Sequence, residues 1–301
     1  MGKPPRLFVA TARGRPGRAA LFRQSPIVLV GLGTIPLLVL LGLPIVGVIV
    51  ESFRPFESGR VGGQISAGFT LENYAAFAHP VYLAVFRDTL MLSTIAAFLS
   101  VVFGFPIAAL VVLSENPLLR RAIIAVLIAA LFLNTITRVY SIAISFSPAG
   151  FGVGLAGILG LSISSPLFLD ITLIAGLLHF MLPISTLTII GVVQSINRRF
   201  IEVAQSLGAS ATSAHLTVTL PLCAPGLVSA FVLALTIGIS SFVVPMILGK
   251  GRVDFVANFI YRRFSEMANY PSGAALAVLL LFASIAIFWG MSAITRRRTQ
   301  S

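Results

Sequence analysis

Six apolar stretches of about 20 residues or more recur along this chain, each long enough to cross the hydrocarbon core of a bilayer as an α-helix. They fall at 27–50, 90–113, 122–146, 167–193, 222–248 and 273–294. In lipid the main-chain N–H and C=O groups of a span must be satisfied internally, so runs of this length demand helices. The expected fold is an all-α integral membrane protein with six transmembrane helices. Composition agrees: 57% of the 301 residues are hydrophobic and only 10% are charged. Soluble domains carry about 25% charged residues, and a soluble fold of this length could not bury so much apolar surface. The first run follows a basic segment, as a secretory signal would. Its apolar core far exceeds the roughly 7–15 residues of such a signal, so it reads as a retained span.

A net charge of +12 raises the question of nucleic acid, but the distribution of charge answers it. With both termini placed in the cytoplasm, Lys3, Arg6, Arg13, Arg15, Arg18, Arg23, Arg120, Arg121, Arg198, Arg199, Arg296, Arg297 and Arg298 all fall on the inner side. Only two acids, Glu115 and Glu202, join them there, and the rest of the chain is nearly neutral. That asymmetry is the positive-inside pattern. The charge is a topology signal, and nucleic-acid binding is not expected.

The chain divides into a basic cytoplasmic tail at 1–26, a transmembrane domain at 27–295 and a cytoplasmic end at 296–301. The first outer loop, 52–87, is expected to carry a short interfacial helix over 71–86, with Thr70 as N-cap and Glu72 in its first turn. The outer segment 252–270 is polar enough for the membrane surface. Gly150 and Gly154 have GxxxG spacing but fall in an outer loop, which argues against helix dimerisation there. Pro36, Pro44, Pro106, Pro183, Pro225, Gly238 and Pro245 punctuate the spans, and such residues bend membrane helices while neighbours satisfy the freed carbonyls. A single cysteine, Cys223, excludes an intrachain disulfide and reads as a packed thiol.

The loop at about 194–221 carries the decisive motif. Glu202, Val203, Ala204, Gly208 and Ala209 are followed, after a fixed interval, by Val218, Leu220 and Pro221. A short helix is expected over 195–207, with Ile201, Ala204 and Leu207 approaching one face and Gly208 ending it in the left-handed conformation. Ser210 or Thr212 then caps a second short helix, and Pro221 opens the next span. This pattern resembles the Glu-Ala-Ala coupling loop of ATP-binding-cassette (ABC) importer permeases, with Val203 for Ala and Val218 for Ile. Further matches narrow the resemblance to spermidine/putrescine-type permeases: Phe69–Tyr74, Val81–Leu83, Asp88–Leu90, Gly104–Ala108, Arg138–Tyr140, Leu182–Pro183, Pro225–Gly226 and Pro245–Gly249. Asp88 stands where that family often has Asn, and Ser141 and Ile142 stand where it has Trp.

The resemblance implies a type I ABC importer permease fold in the bacterial inner membrane. It also implies a second homologous permease, two ATPase subunits and a periplasmic substrate-binding protein as partners. Glu202 would be an ionic contact at the edge of the ATPase groove that receives the loop. The implied cargo is a polyamine such as putrescine or spermidine, with ferric ion, thiamine, opines and aminophosphonates as alternatives carried by related proteins. A secondary transporter is a distant rival, which would call for inverted repeats and midplane ion sites.

No catalytic role is expected, and no cofactor: ATP and Mg would be bound by the partner subunits. A phosphate-binding loop needs Lys followed by Ser or Thr, whereas Lys3 precedes Pro4 and Lys250 precedes Gly251. His79, His179 and His215 lack carboxylate or cysteine neighbours at metal-ligand spacing. Polar groups inside spans default to functional hypotheses. Arg138 and Asp170 lie at matching depth and are expected either to pair or to line the outer mouth of the pathway. Asn134 and His179 fall nearer the midplane, and Asp88 sits at the outer end of span two. Tyr140, Phe146 and Phe242 could stack on a cation or anchor the interface.

Overall fold

The computed structural model describes residues 26–57, 68–197 and 199–299. Residues 1–25 of the basic tail, residues 58–67, Arg198 and the last two residues, with the side chains of 26–32, 211–212 (Thr212 included), 215–216 (His215 included) and 292–299 (Arg296, Arg297 and Arg298 included), lie outside the described residues. Within the described residues the chain is helical and has no strand. The path separates into two units, the first ending at Val48 and the second running from Ile49.

Helix α1, Pro26–Ser52, contains Pro36 and Pro44. Its last turn, within the second unit, is tied to α2, Glu72–Ala75: the Ser52 and Tyr74 hydroxyls lie 2.6 Å apart, and the Asn73 amide donates to the Ser52 and Arg54 carbonyls. The single helix expected over 71–86 is interrupted. A tight turn over Ala76–Ala78 leads to His79, in extended conformation, and Pro80 opens α3, Pro80–Leu113. Proline suits that first position because its missing N–H is one that a helix start leaves unbonded anyway. Span two therefore begins at Pro80 rather than Leu90, and Asp88 lies inside the helix, not at its end. Thr70 still offers its Oγ1 to the Glu72 N–H at 3.2 Å.

Span three is also not continuous. It comprises α4, Pro117–Phe132, and α5, Thr135–Ser145, bent from one another by 101°. The break sits at Asn134, whose side-chain oxygen accepts from the Ile136 and Thr137 N–H groups. Asn competes for helix-terminal N–H groups better than it tolerates a helix interior, so it starts a new helix where hydropathy alone reads one span. A short α6, Gly152–Ile158, leads to α7, Pro166–Gln194. After the loop helices α8, Arg199–Ser206, and α9, Ala211–Ala214, comes α10, Leu220–Ile239. Span five stops at Ile239, and the remainder of its expected length is a separate helix, α11, Val243–Leu248. Two further helices, α12, Val256–Tyr261, and α13, Tyr270–Thr299, complete the chain. Among the described residues, five helices are long and apolar enough to cross a membrane, six when the bent pair counts as one span.

The core is built where α3, α7 and α10 pack together. Leu92, Ala96, Ala97, Leu173, Leu177, Met181, Ala234 and Leu235 form its centre and are almost wholly buried. Lipid tails are as apolar as these side chains, so close approach of the backbones, rather than expulsion of water, holds such helices together. Glycines such as Gly104, Gly226 and Gly238 allow it. A Cβ on Gly104 would come 2.9 Å from Thr186 Oγ1, and one on Gly238 would strike Met181 and Ser93. The Ser185 hydroxyl also bonds across to the Ser100 carbonyl at 3.0 Å. The 252–270 connection is more deeply packed than its polarity suggests. Phe255 and Val256 are buried, Asp254 pairs with Arg262, and the Asn258 amide bonds to the Phe242 carbonyl at 3.0 Å.

Candidate functional site

Local chemistry shapes the elbow between α7 and α10. The Ser195 hydroxyl turns back to the Val192 carbonyl at 2.7 Å, and the Asn197 side chain accepts from the Arg199 N–H at 3.0 Å. Such side-chain bonds compete with the helix, so α8 starts at Arg199 rather than Ser195. Its end is the expected one. Gly208 has φ +95°, its N–H bonds to the Gln205 carbonyl, and the Ala209 N–H bonds to the Ala204 carbonyl. That paired arrangement is the glycine-terminated helix end called a Schellman motif. Ser210 caps the second short helix by accepting from the Ser213 N–H at 3.2 Å. A five-residue π-helical turn, His215–Thr219, then feeds into α10, with Pro221 in its first turn.

The elbow has two faces. Ile201 and Ala204 are half-buried. Ile201 and Thr219 help line a cavity of about 160 Å³ whose other walls are Val112, Leu113, Arg120, Val193, Gln194 and Ile196. The loop is thus seated on the ends of α3 and α7 and the start of α4. On the other side Phe200, Val203 and Leu207 are 54%, 58% and 84% exposed. Their spacing of three and four puts them on one side of α8, an apolar stripe facing away from the chain. Leu207, expected on one face with Ile201 and Ala204, lies just past the helix end and is far more exposed than either. Glu202 is exposed too, and among the described residues it enters no ion pair.

The five pathway candidates do not form one cluster. Arg138 is 5% exposed and does not pair with Asp170. Its Nη2 donates to the main-chain carbonyl of His179 at 2.7 Å, and its guanidinium carbon sits 4.0 Å above the Phe180 ring. Asp170 lies within electrostatic reach of Asp88 and Arg87, and Arg87 forms an ion pair with Asp88 at 2.8 Å. Asn134 is exposed and occupied as a cap. His179 meets Arg138 through its main chain, and its ring sits edge-on to Phe180. Phe146 packs with Phe151 and Phe168, Phe242 packs with Tyr261, and Tyr140 remains exposed.

A face that hydropathy hides appears on α10. Pro225, Val228, Ser229, Val232, Leu233 and Thr236, with Phe288 of α13, line an open groove of about 440 Å³. Ser229, Thr236 and Ser240 recur at intervals of seven and four, and all are exposed. Each hydroxyl donates back to its own helix, to the Pro225, Val232 and Thr236 carbonyls respectively. A hydroxyl spent in this way presents oxygen lone pairs outward and so offers acceptors. The signal was in the sequence as three hydroxyls at helical spacing inside an apolar run. Among the described residues no cluster of three His, Cys, Asp or Glu side chains is placed to hold a metal.

No family model matches the chain. It is 27% identical, over 73% of its own length and 77% of the relative's, to the spermidine/putrescine transport system permease protein PotB of Haemophilus influenzae. The protein of the same name from Escherichia coli K12 is 24% identical over 77% of this chain and 86% of its own. Among solved structures, a chain of a bacterial ABC transporter that imports the acidic polysaccharide alginate superposes with a TM-score of 0.69 and 18% identity. That match covers 93% of this chain and 98% of the other. A chain of the MetNI methionine ABC transporter in an inward-facing conformation gives a TM-score of 0.55 at 20% identity, covering 71% and 94%. The fold is that of the transmembrane subunits of ABC importers.

Proposed function

We propose that this chain is the permease subunit of an ATP-driven, binding-protein-dependent importer and forms half of the pathway for a polyamine such as putrescine or spermidine. The observation that carries the reading is likeness to polyamine permeases along about three quarters of the chain, on a fold shared with importer subunits. In this reading ATP and Mg are bound by two separate ATPase subunits. A second permease completes the pathway, and a periplasmic protein delivers the solute through the bacterial inner membrane. The elbow is the coupling element, and the outward stripe of Phe200, Val203 and Leu207, flanked by Glu202, is the part an ATPase groove receives. Its seating on α3, α4 and α7 lets a displacement of the loop reach the core, so that ATP binding shifts the population between two access states.

Groove chemistry favours a cationic solute. Ammonium groups only donate hydrogen bonds, and the two hydroxyls that line the groove, Ser229 and Thr236, have their own protons already committed. Two hydroxyls in an otherwise apolar lining, with no fixed charge, would hold an ammonium weakly enough to let it leave.

The test is ATP-dependent uptake of labelled putrescine in cells expressing the chain together with its neighbouring transport genes. Uptake is expected, and Glu202→Lys and Gly208→Trp should abolish it while leaving the chain in the membrane. Normal uptake by Gly208→Trp would remove the coupling role. An assembled complex that carries no putrescine would move the substrate to ferric ion, thiamine, opines or aminophosphonates.

A further inference from the structure

Arg138 poses a problem that its neighbours only half answer. A guanidinium inside a membrane span is costly, and this one is 95% buried, with no carboxylate paired to it and its Nε unpartnered among the described residues. The acceptor it does find is unusual, because the His179 carbonyl belongs to the middle of a regular helix, where carbonyls are ordinarily taken by the N–H four residues on. Four residues on from His179 stands Pro183. Proline has no N–H and its ring crowds the carbonyl one turn back. The carbonyl that Arg138 meets at 2.7 Å is therefore the one that Pro183 leaves free.

We propose that Arg138 is a positioning residue that supplies the hydrogen Pro183 lacks, so that the broken third span and the proline-bearing fourth span are held as one joint. The placement fits. Arg138 sits in the first turns of α5, just past the 101° break at Asn134, and the adjacent Val139 is fully buried in the main core. The guanidinium carbon also lies 4.0 Å over the ring of Phe180, the residue next to His179, which holds it at the same turn. Arg rather than Lys suits this place because a planar fork can stack and donate at once. The joint concerns helix packing and holds whatever solute crosses, so it stands or falls separately from the polyamine reading.

The two residues do not need to touch to be coupled; proline creates the vacancy and arginine fills it. A double-mutant cycle on the full chain in nanodiscs, read by thermal unfolding, tests this. Arg138→Met in the native background should lower Tm by about 4 °C or more, because the His179 carbonyl loses the donor that Pro183 cannot supply. In a Pro183→Ala background the restored main-chain N–H takes that carbonyl, and the same Arg138→Met change should cost less than half as much. Arg138→Lys, which keeps a donor, should fall between wild type and Arg138→Met only when Pro183 is present. Equal costs in the two backgrounds, or a larger cost with Pro183→Ala, would overturn the proposal. If Arg138→Met fails to accumulate in the membrane, its recovery by Pro183→Ala is the expected outcome. Absence of that recovery would count against the joint.

Discussion

At Gly208 and Gly238 a single missing side chain has opposite reasons. Gly208 is exposed and has open space around it, but its φ of +95° is one that side-chain-bearing residues rarely adopt. Gly238 has an ordinary helical backbone, and what excludes a side chain there is Met181 and Ser93 across the α7 and α3 contacts. The two should therefore fail differently. Gly238→Val forces the three central helices apart, an overpacking cost of about 1–3 kcal/mol, and is expected to lower Tm of the purified chain by several degrees. Gly208→Ala disturbs only the elbow, so it should leave Tm nearly unchanged while uptake falls. Parallel thermal melts and uptake assays on the two variants separate these outcomes, and equal losses of stability would contradict the assignment.

Interruptions, more than helices, distinguish the elements of this chain. Hydropathy reads 122–146 as one span because Asn134 and the few polar residues after it, Thr135, Thr137 and Arg138 among them, are diluted by apolar neighbours in a window average. The structure shows that this residue ends one helix and starts another. Removing its side chain by Asn134→Ala takes away a cap worth about 1 kcal/mol without touching the core. The expected result is increased hydrogen exchange at the Ile136 and Thr137 amides, with exchange in α7 unchanged; unaltered exchange at those two amides would show that the cap is idle. The same logic governs the start of α3, where Pro80 sets the first turn, and the end of α10. There a window average continues across Ser240 and Ser241 into α11 although the backbone does not.

For the molecule as a whole, charge asymmetry predicts an orientation that packing alone leaves open. With basic residues concentrated at 1–26, 120–121, 198–199 and 296–298, an even number of crossings should place both ends in the cytoplasm. A fluorescent reporter fused after Ser301 should then glow, and alkaline phosphatase fused at the same place should be inactive. The reverse pattern would mean that the bent α4–α5 pair does not cross, leaving five spans. This reading makes the break at Asn134 the feature on which the count turns.

Residue chemistry legible without coordinates included the class of solvent, the helical fold, the elbow's glycine end and its Ser210 cap. These depend on local rules: the length of an apolar run, the φ that only glycine adopts easily, and a hydroxyl within reach of the next turn's N–H. The partner of Arg138 was not legible. Matching depth suggested Asp170, but depth says nothing about which side of a helix a residue occupies or how far apart two helices stand. Only packing brought Arg138 against a carbonyl that Pro183 had freed 41 residues further along the chain from it. The groove on α10 was hidden for the same reason. Serines and threonines at helical spacing are visible in the sequence, but whether they face a neighbour or open space is decided by which helices surround them.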